Sequence, residues 1–407
     1  MSEGEGDRLR AEKRRMSSNS ALDLSEYRRE SRAWSKRPIQ DLPEDVLKRS
    51  LEVGVIPDES ARAATYFQID RSVVFEAVQE AFEGKIEIMS TKEALRRYKW
   101  LKDYWWGLIK PDQDEFTMLA ESRWDYGYFI RILEGEKVTI PIQACLFMHT
   151  DNLNQNVHNV IIAEPDSEAH IITGCTTHTN VCRGLHVGVS EFYIKEGAKL
   201  SFTMIHSWAE DLYVRPRTAA LLNEKALFIS NYICLKPVRS LQMYPVAYCR
   251  GDDSRVRFNS ILLGVGSSTL DVGAKVVLGG EGCRGEVITR AIATDRSRIY
   301  ARGFLQGDHS NTKAHLECRG LLLSDNAMIR AVPELLARVR GTDLSHEAAV
   351  GKIAEDQILY LMARGFSREE AEALIVRGFM DVSIFGLPER LNLEIKRMIE
   401  ATTGRVL

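Results

Sequence analysis

Between about Trp124 and residue 340 the apolar positions follow no helical period. Short apolar runs alternate with polar positions and are broken by small or charged residues, as in IIAEPDSEAHIITG, FYIKEGAKLSFTMI, AALLNEKALFISNY and AYCRGDDSRVRFNSILLG. Period-two alternation predicts strands. One turn slot reads as Ala169, Ala198, Ala226 and Ser254, at spacings of 29, 28 and 28 residues, and Ser297 and Ala327 lie thirty apart. A β-rich period of this size is the signature of a solenoid whose coils cover one another. The turns lack the Asn-Gly signal of tight hairpins, and a sandwich would place turns about every 8 to 12 residues. The pattern therefore predicts a parallel β-helix; the competing reading is chance recurrence of turns in another β protein.

Helical signals flank this stretch. Pro43 opens PEDVLKRSLEVG and Gly54 closes it, while Ser90 and Glu93 form a capping-box pattern ahead of ALRRYKWLKDYWWGLI. Trp100, Trp105 and Trp106 are expected to pack. After Ser345 the pattern predicts a helix over EAAVGKIAEDQILYLMARG, a second opened by Ser367 and Glu370, and a third after Pro388. The expected division is a flexible charged arm (1–40), an α-rich region (41–123), the β-helix (124–344) and a helical C-terminal region (345–407). Those last helices can cap the solenoid or offer a docking face.

Composition narrows the partners. Of 407 residues, 54 are basic and 57 acidic, a net charge of −3, so no overall basic excess draws nucleic acid. No run of about 18 apolar residues predicts a membrane span. The N-terminus MSEGEGDRLRAEKRRM has charge where a signal peptide needs an apolar stretch, giving a cytoplasmic expectation. Seven scattered cysteines argue against a disulfide framework.

Two clusters carry candidate chemistry. Cys175, His178, Cys182 and His186 fall within twelve residues, a weak zinc pattern without CxxC. Gly307-Asp308-His309, His315, Cys318 and Ser345-His346-Glu347 offer a thiol, imidazoles and carboxylates, a set suited to iron or to a nucleophilic Cys/His pair. GVGSS and LGGEGCRGE match neither a Walker loop nor a dinucleotide fingerprint, so ATP hydrolysis is not expected from this chain.

The segments EFTMLAESRWDYGYFIRI, NVIIAEPDSEAHIITGCTTH, FYIKEGAKLSF, YCRGDDSR and LSHEAAVGKIAEDQILYLMARGFSREEAEALIVRGF resemble the SufB/SufD family of iron–sulfur cluster assembly scaffolds, from about Glu115 to Met380. The resemblance implies a right-handed parallel β-helix and a C-terminal helical region that docks SufC, an ABC-type ATPase. It implies a cluster-assembly role for Cys318 and Glu347, which keep the family's separation of 29 residues, and for His346, the histidine on which SufD-like members rely. These three would be the metal ligands of a transient [2Fe-2S] or [4Fe-4S] cluster. Cys175, in T-G-C-T, matches the family's sulfur-accepting cysteine at the mouth of an internal tunnel.

Two departures stand out: Met148 occupies the place of a tunnel arginine, and the N-terminal CxxCxxxC motif of some SufB proteins is absent. A chain combining SufB-like and SufD-like residues resembles the minimal, single-scaffold form of the system. That form implies a non-enzymatic homodimer binding two SufC-like subunits, a sulfur donor and apo target proteins. A SufD-like subunit without its own cluster and a β-helical polysaccharide-active enzyme are the alternatives.

Overall fold

The computed structural model describes residues 22–380, together with Leu393 and Lys396. Two sheets, of ten and eleven strands, face each other as a parallel β-helix with helices towards its ends. In the ten-stranded sheet, seven successive strands from Glu168–Thr177 to Asp343–Lys352 pair in parallel. Between each pair the chain crosses through the opposite sheet.

The register explains the repeat. Lys199, Leu227, Arg255, Arg284 and Lys313 stack in line above Glu168, and the residues just before them are Ser167, Ala198, Ala226, Ser254, Cys283 and Thr312. All six are buried. The coils therefore advance by 31, 28, 28, 29 and 29 residues. Ala169 does not belong to this slot: it pairs with Leu200, two positions further along. Ser297 and Ala327 hold the matching slot of the other sheet, before Arg298 and Met328. Only small side chains fit where the chain turns inward. Cys283 is one of them, its Sγ 3.2 Å from Ser254 Oγ. The preceding residue takes a left-handed conformation, supplied by Asp166, Gly197, Asp253, Gly282 and Asn311, residue types that tolerate it, and once by Lys225.

Region 41–123 is not predominantly helical. Its helices are short (Glu44–Leu51, Thr91–Arg97 and Glu115–Ser122), and it adds strands Ala64–Ile69, Ser72–Val78 and Ile86–Ser90 to the two sheets. ATYFQI and SVVFEAV are rich in β-branched and aromatic residues, and every residue of Ala64–Ile69 is buried. Ser90 caps its helix through the Glu93 N–H, but the helix stops at Arg97 and gives way to a 3₁₀ turn, Lys99–Asp103. Residues 22–40 lie against the solenoid, with Tyr27 buried and Arg28 bridged to Leu153.

At the other end the strand persists through Ser345 to Lys352, because this stretch completes the ladder begun by Lys313–Leu322. Helix begins only at Glu355, followed by Arg368–Phe379 with a complete Ser367/Glu370 capping box. The helix expected after Pro388 lies outside the described residues apart from Leu393 and Lys396, both helical. One core fills the space between the sheets. A second covers the outer face of the ten-stranded sheet, with Val53 and Val55 at one end and Val376 and Met380 at the other.

The aromatic segment after Tyr98 is fastened by one buried carboxylate. Glu191 accepts N–H bonds from Trp106 (2.9 Å), Leu108 (2.6 Å) and Ile109 (3.1 Å) and meets His158 Nε2 at 2.8 Å. Trp105 stacks on that imidazole at 3.8 Å. Glu191→Ala leaves three amide donors and a buried imidazole without their acceptor. It should cost about 3–5 kcal/mol, the range for breaking a buried pair. Denaturant unfolding measures this, and a loss below about 1 kcal/mol would show that water replaces the carboxylate.

Candidate functional site

The strands Lys313–Leu322 and Asp343–Lys352 carry most of the expected site residues. Along the first, burial alternates: Ala314, Leu316, Cys318 and Gly320 face inward, and Lys313, His315, Glu317 and Arg319 face outward. Cys318 pairs in register with Thr289 on one side and Ala348 on the other. Its thiol is buried, and that burial, with the nearby Glu317 charge, pushes its pKa up to about 11.

His346 pairs with Leu316 and so takes the inner parity with Cys318, while Glu347 pairs with Glu317 and takes the outer one. Cys318, His346 and Glu347 thus do not converge within one chain. Among the described residues no three His, Cys, Asp or Glu side chains are placed to hold a metal ion. Glu347 instead shares its face with Glu317 and with His315, whose Nδ1 lies 2.9 Å from Ser345 Oγ. Glu317 is paired with Arg319 at 2.8 Å. His309 sits in a turn, its carbonyl accepting from Thr312 Oγ1 at 2.8 Å.

The first cluster is dispersed. Cys175 is buried between the sheets, Cys182 is exposed, His178 pairs with Asp45, and His186 lies inside with Nδ1 2.9 Å from Gln155 Oε1. The weak zinc pattern therefore has no geometric counterpart. Cys175 lies between Leu146 and His206 in register, and burial pushes its thiol well above the usual range. Met148, fully buried, also belongs to the interior cluster, so this part of the wall is apolar.

The sequence reading missed an interior polar set. Cys175, His206 and Cys234 stack directly on three neighbouring strands. His206 Nδ1 meets the Tyr232 hydroxyl at 2.8 Å, and the Trp208 ring lies between His186 and His206. The signal was the coil advance itself: 206 − 175 = 31 and 234 − 206 = 28. From Tyr232 the inner wall continues through Ser260 and Thr289 to Cys318. A narrow cavity beside Met204, Tyr232, Ser260 and Thr289 leaves about 20 Å³ for the centre of a water-sized molecule, space for about one.

At the C-terminal end, Leu359, Tyr360, Met362, Phe366 and Leu374 are exposed, whereas Ile358 and Val376 are buried. An apolar groove between these helices and the outer sheet face is lined by Leu263, Ile292, Ile358 and Val376, with Glu355 and Arg368 at its rim. Among the described residues no helix is long and apolar enough to cross a membrane.

Fold and site together define a β-helical protein whose candidate chemistry lies on the inward cysteines of its coils and on the face of its last strands. Residues 146–379 match the family described as SUF system FeS cluster assembly, SufBD core domain, and the chain belongs to that family. It is 49% identical over 365 residues to an iron–sulfur cluster assembly SufBD family protein of Methanothermobacter thermautotrophicus (strain Winter), covering 89% of this chain and 88% of that one. A SufBD family protein of Archaeoglobus fulgidus is 50% identical over 353 residues, 87% of this chain and 94% of the other. The iron–sulfur cluster assembly protein SufB of Bacillus subtilis is 27% identical over 374 residues, 90% and 80% of the two chains.

The buried histidines make acid stability a test of the interior. Burial holds His186 down to about 3 and His206 well below its ordinary value. Both are neutral when folded, so their contribution is fully present above the unfolded value near 6.5. As pH falls below that, the unfolded chain takes up the protons first, and each histidine removes about 1.4 kcal/mol per pH unit. Unfolding free energy should therefore drop between pH 6.5 and 4, and His186→Gln should shallow that slope by about one proton. An unchanged slope in the variant would mean that His186 is protonated inside the fold.

Proposed function

We propose that this chain is a cytoplasmic scaffold on which iron–sulfur clusters are assembled and from which they pass to apo proteins. The observation that carries the reading is that Cys175 and Cys318 lie on one inner wall, five strand steps or about 24 Å apart. That distance excludes ligation of one cluster by both thiols of a chain, and suits entry of sulfur at Cys175 and its use at Cys318. Cys318 supplies a soft ligand for sulfide-bound iron, His346 stands beside it, and Glu347 on the opposite face supplies a hard oxygen for incoming iron.

The strand carrying Glu347 ends its sheet, and Leu335, Val339 and Val350 are exposed in the last coils. Pairing of two such ends would give a homodimer with both sets of ligands at the two-fold axis. The exposed apolar side chains of the helices after Ala354 offer a surface for a SufC-like ABC-type ATPase, two per dimer, by helix-in-groove contact. The alternative of a SufD-like subunit without a cluster of its own draws support from Glu347 facing away from Cys318.

Anaerobic reconstitution with iron and sulfide, followed by visible absorbance, decides between them. The parent should take up colour, Cys318→Ala should lose it, and Glu347→Ala should bind several-fold less iron. Cys182→Ala, at an exposed thiol, should behave as the parent. A full cluster in Cys318→Ala would remove Cys318 from the site, and a colourless parent would favour the SufD-like reading.

Glu369→Lys combined with Glu372→Lys should weaken co-purification with a SufC-like ATPase, because Glu369 is exposed and Glu372, ion-paired with Arg368 at 3.2 Å, lines the groove; Glu369→Lys alone should leave thermal stability unaltered. Undiminished binding would place the ATPase elsewhere.

A further inference from the structure

We propose that His206 is the proton acceptor that makes Cys175 reactive, with Tyr232 fixing the tautomer of its ring; this rests on the reading of Cys175 as the sulfur acceptor. The thiolate, not the thiol, attacks sulfur. Cys175 is 1% exposed and its thiol is held protonated by burial. Burial disfavours the thiolate, so a base inside the coil would speed the attack.

The ladder supplies one. Cys175 and His206 are register partners on adjacent parallel strands, about 4.8 Å apart and on the same face. Cys234 follows on the next strand in the same line. The Tyr232 hydroxyl lies 2.8 Å from His206 Nδ1, and the Cys234 thiol donates to the Lys236 carbonyl at 3.9 Å. When Nδ1–H donates to the Tyr232 oxygen, Nε2 keeps a lone pair with which it can accept the Cys175 proton. The titratable groups facing His206 are Cys175, Cys234, Tyr232 and His186. Burial first, and then the nearby His186, keep the imidazole neutral and disfavour its charged form, so it holds the thiol proton only during the attack.

The step balances without an oxidant or reductant. Cys175 Sγ gives its proton to His206 Nε2 and attacks the terminal sulfur of a donor persulfide. The new Sγ–S bond forms as the donor's S–S bond breaks. The donor leaves as a thiolate and takes the proton back from His206, so that one thiol and one persulfide exchange places.

The test uses the full-length chain with cysteine persulfide as donor and mass spectrometry of the peptide containing Cys175 as readout. With an internal base, the parent rate should be nearly flat between pH 6 and 8. Unassisted attack would rise about tenfold per pH unit with the thiolate fraction. His206→Gln keeps a polar side chain of similar reach but no base. It should slow sulfur acceptance by about a hundredfold and restore the tenfold rise. Tyr232→Phe keeps the ring, removes the hydroxyl that fixes the tautomer and should slow the step several-fold.

If the parent takes up no sulfur at Cys175, the relay reading falls and this inference with it. If the parent takes it up and His206→Gln matches it in rate and pH profile, only the role of His206 is overturned. Should His206→Gln fail to fold, a parent rate rising tenfold per pH unit, or a Tyr232→Phe rate equal to the parent's, overturns it as well.

Discussion

Parallel, in-register stacking governs everything else in this molecule. In a parallel ladder each residue lies over the one a coil earlier, about 4.8 Å away, so the coil advance decides which side chains become neighbours. The line Ser167, Ala198, Ala226, Ser254, Cys283 and Thr312 exists because the advance is 28 to 31 residues and the turn admits only small side chains. The line Cys175, His206, Cys234 arises from the same arithmetic. A thiol here acquires its chemical environment from residues about thirty positions away more than from its sequence neighbours.

That is why the fold was more legible than the site. Alternating apolar runs and recurrent turns announce a β-helix, and the capping box at Ser367 marks the start of its helix correctly. The strands before residue 91 were hidden because they are short and sit among helix-like punctuation, and their burial against the first coil decides their form. The extension of strand through Ser345 to Lys352 was hidden for a related reason. SHEAAVGK has a helical texture, but backbone groups of Lys313–Leu322 are there to be paired.

The site shows the sharpest limit. The family resemblance implied a shared cluster-assembly role for Cys318 and Glu347, 29 residues apart, whereas the local coil advance is 30, from Cys318 to Ala348. One residue short of register is enough to turn a strand side chain to the other face. The same two strands consequently carry a dry, protonated thiol on one side and two carboxylates with an imidazole on the other. A soft sulfur donor and hard oxygen donors are separated by the thickness of a single sheet.

The position of Cys318 along the rod has a consequence for motion. In a solenoid each coil is held mainly by the coil before and the coil after, so cohesion is a sum of nearest-neighbour terms. Interior rungs such as Lys199–Ser207 are gripped from both sides, whereas Asp343–Lys352 has a single strand partner among the described residues. Local opening therefore costs least at this end, as it does wherever backbone pairs are few. Fraying by one rung uncovers the inner face at Cys318, whereas the strand of Cys175 is paired on both sides, so the two thiols of one wall differ in their lifetimes of exposure.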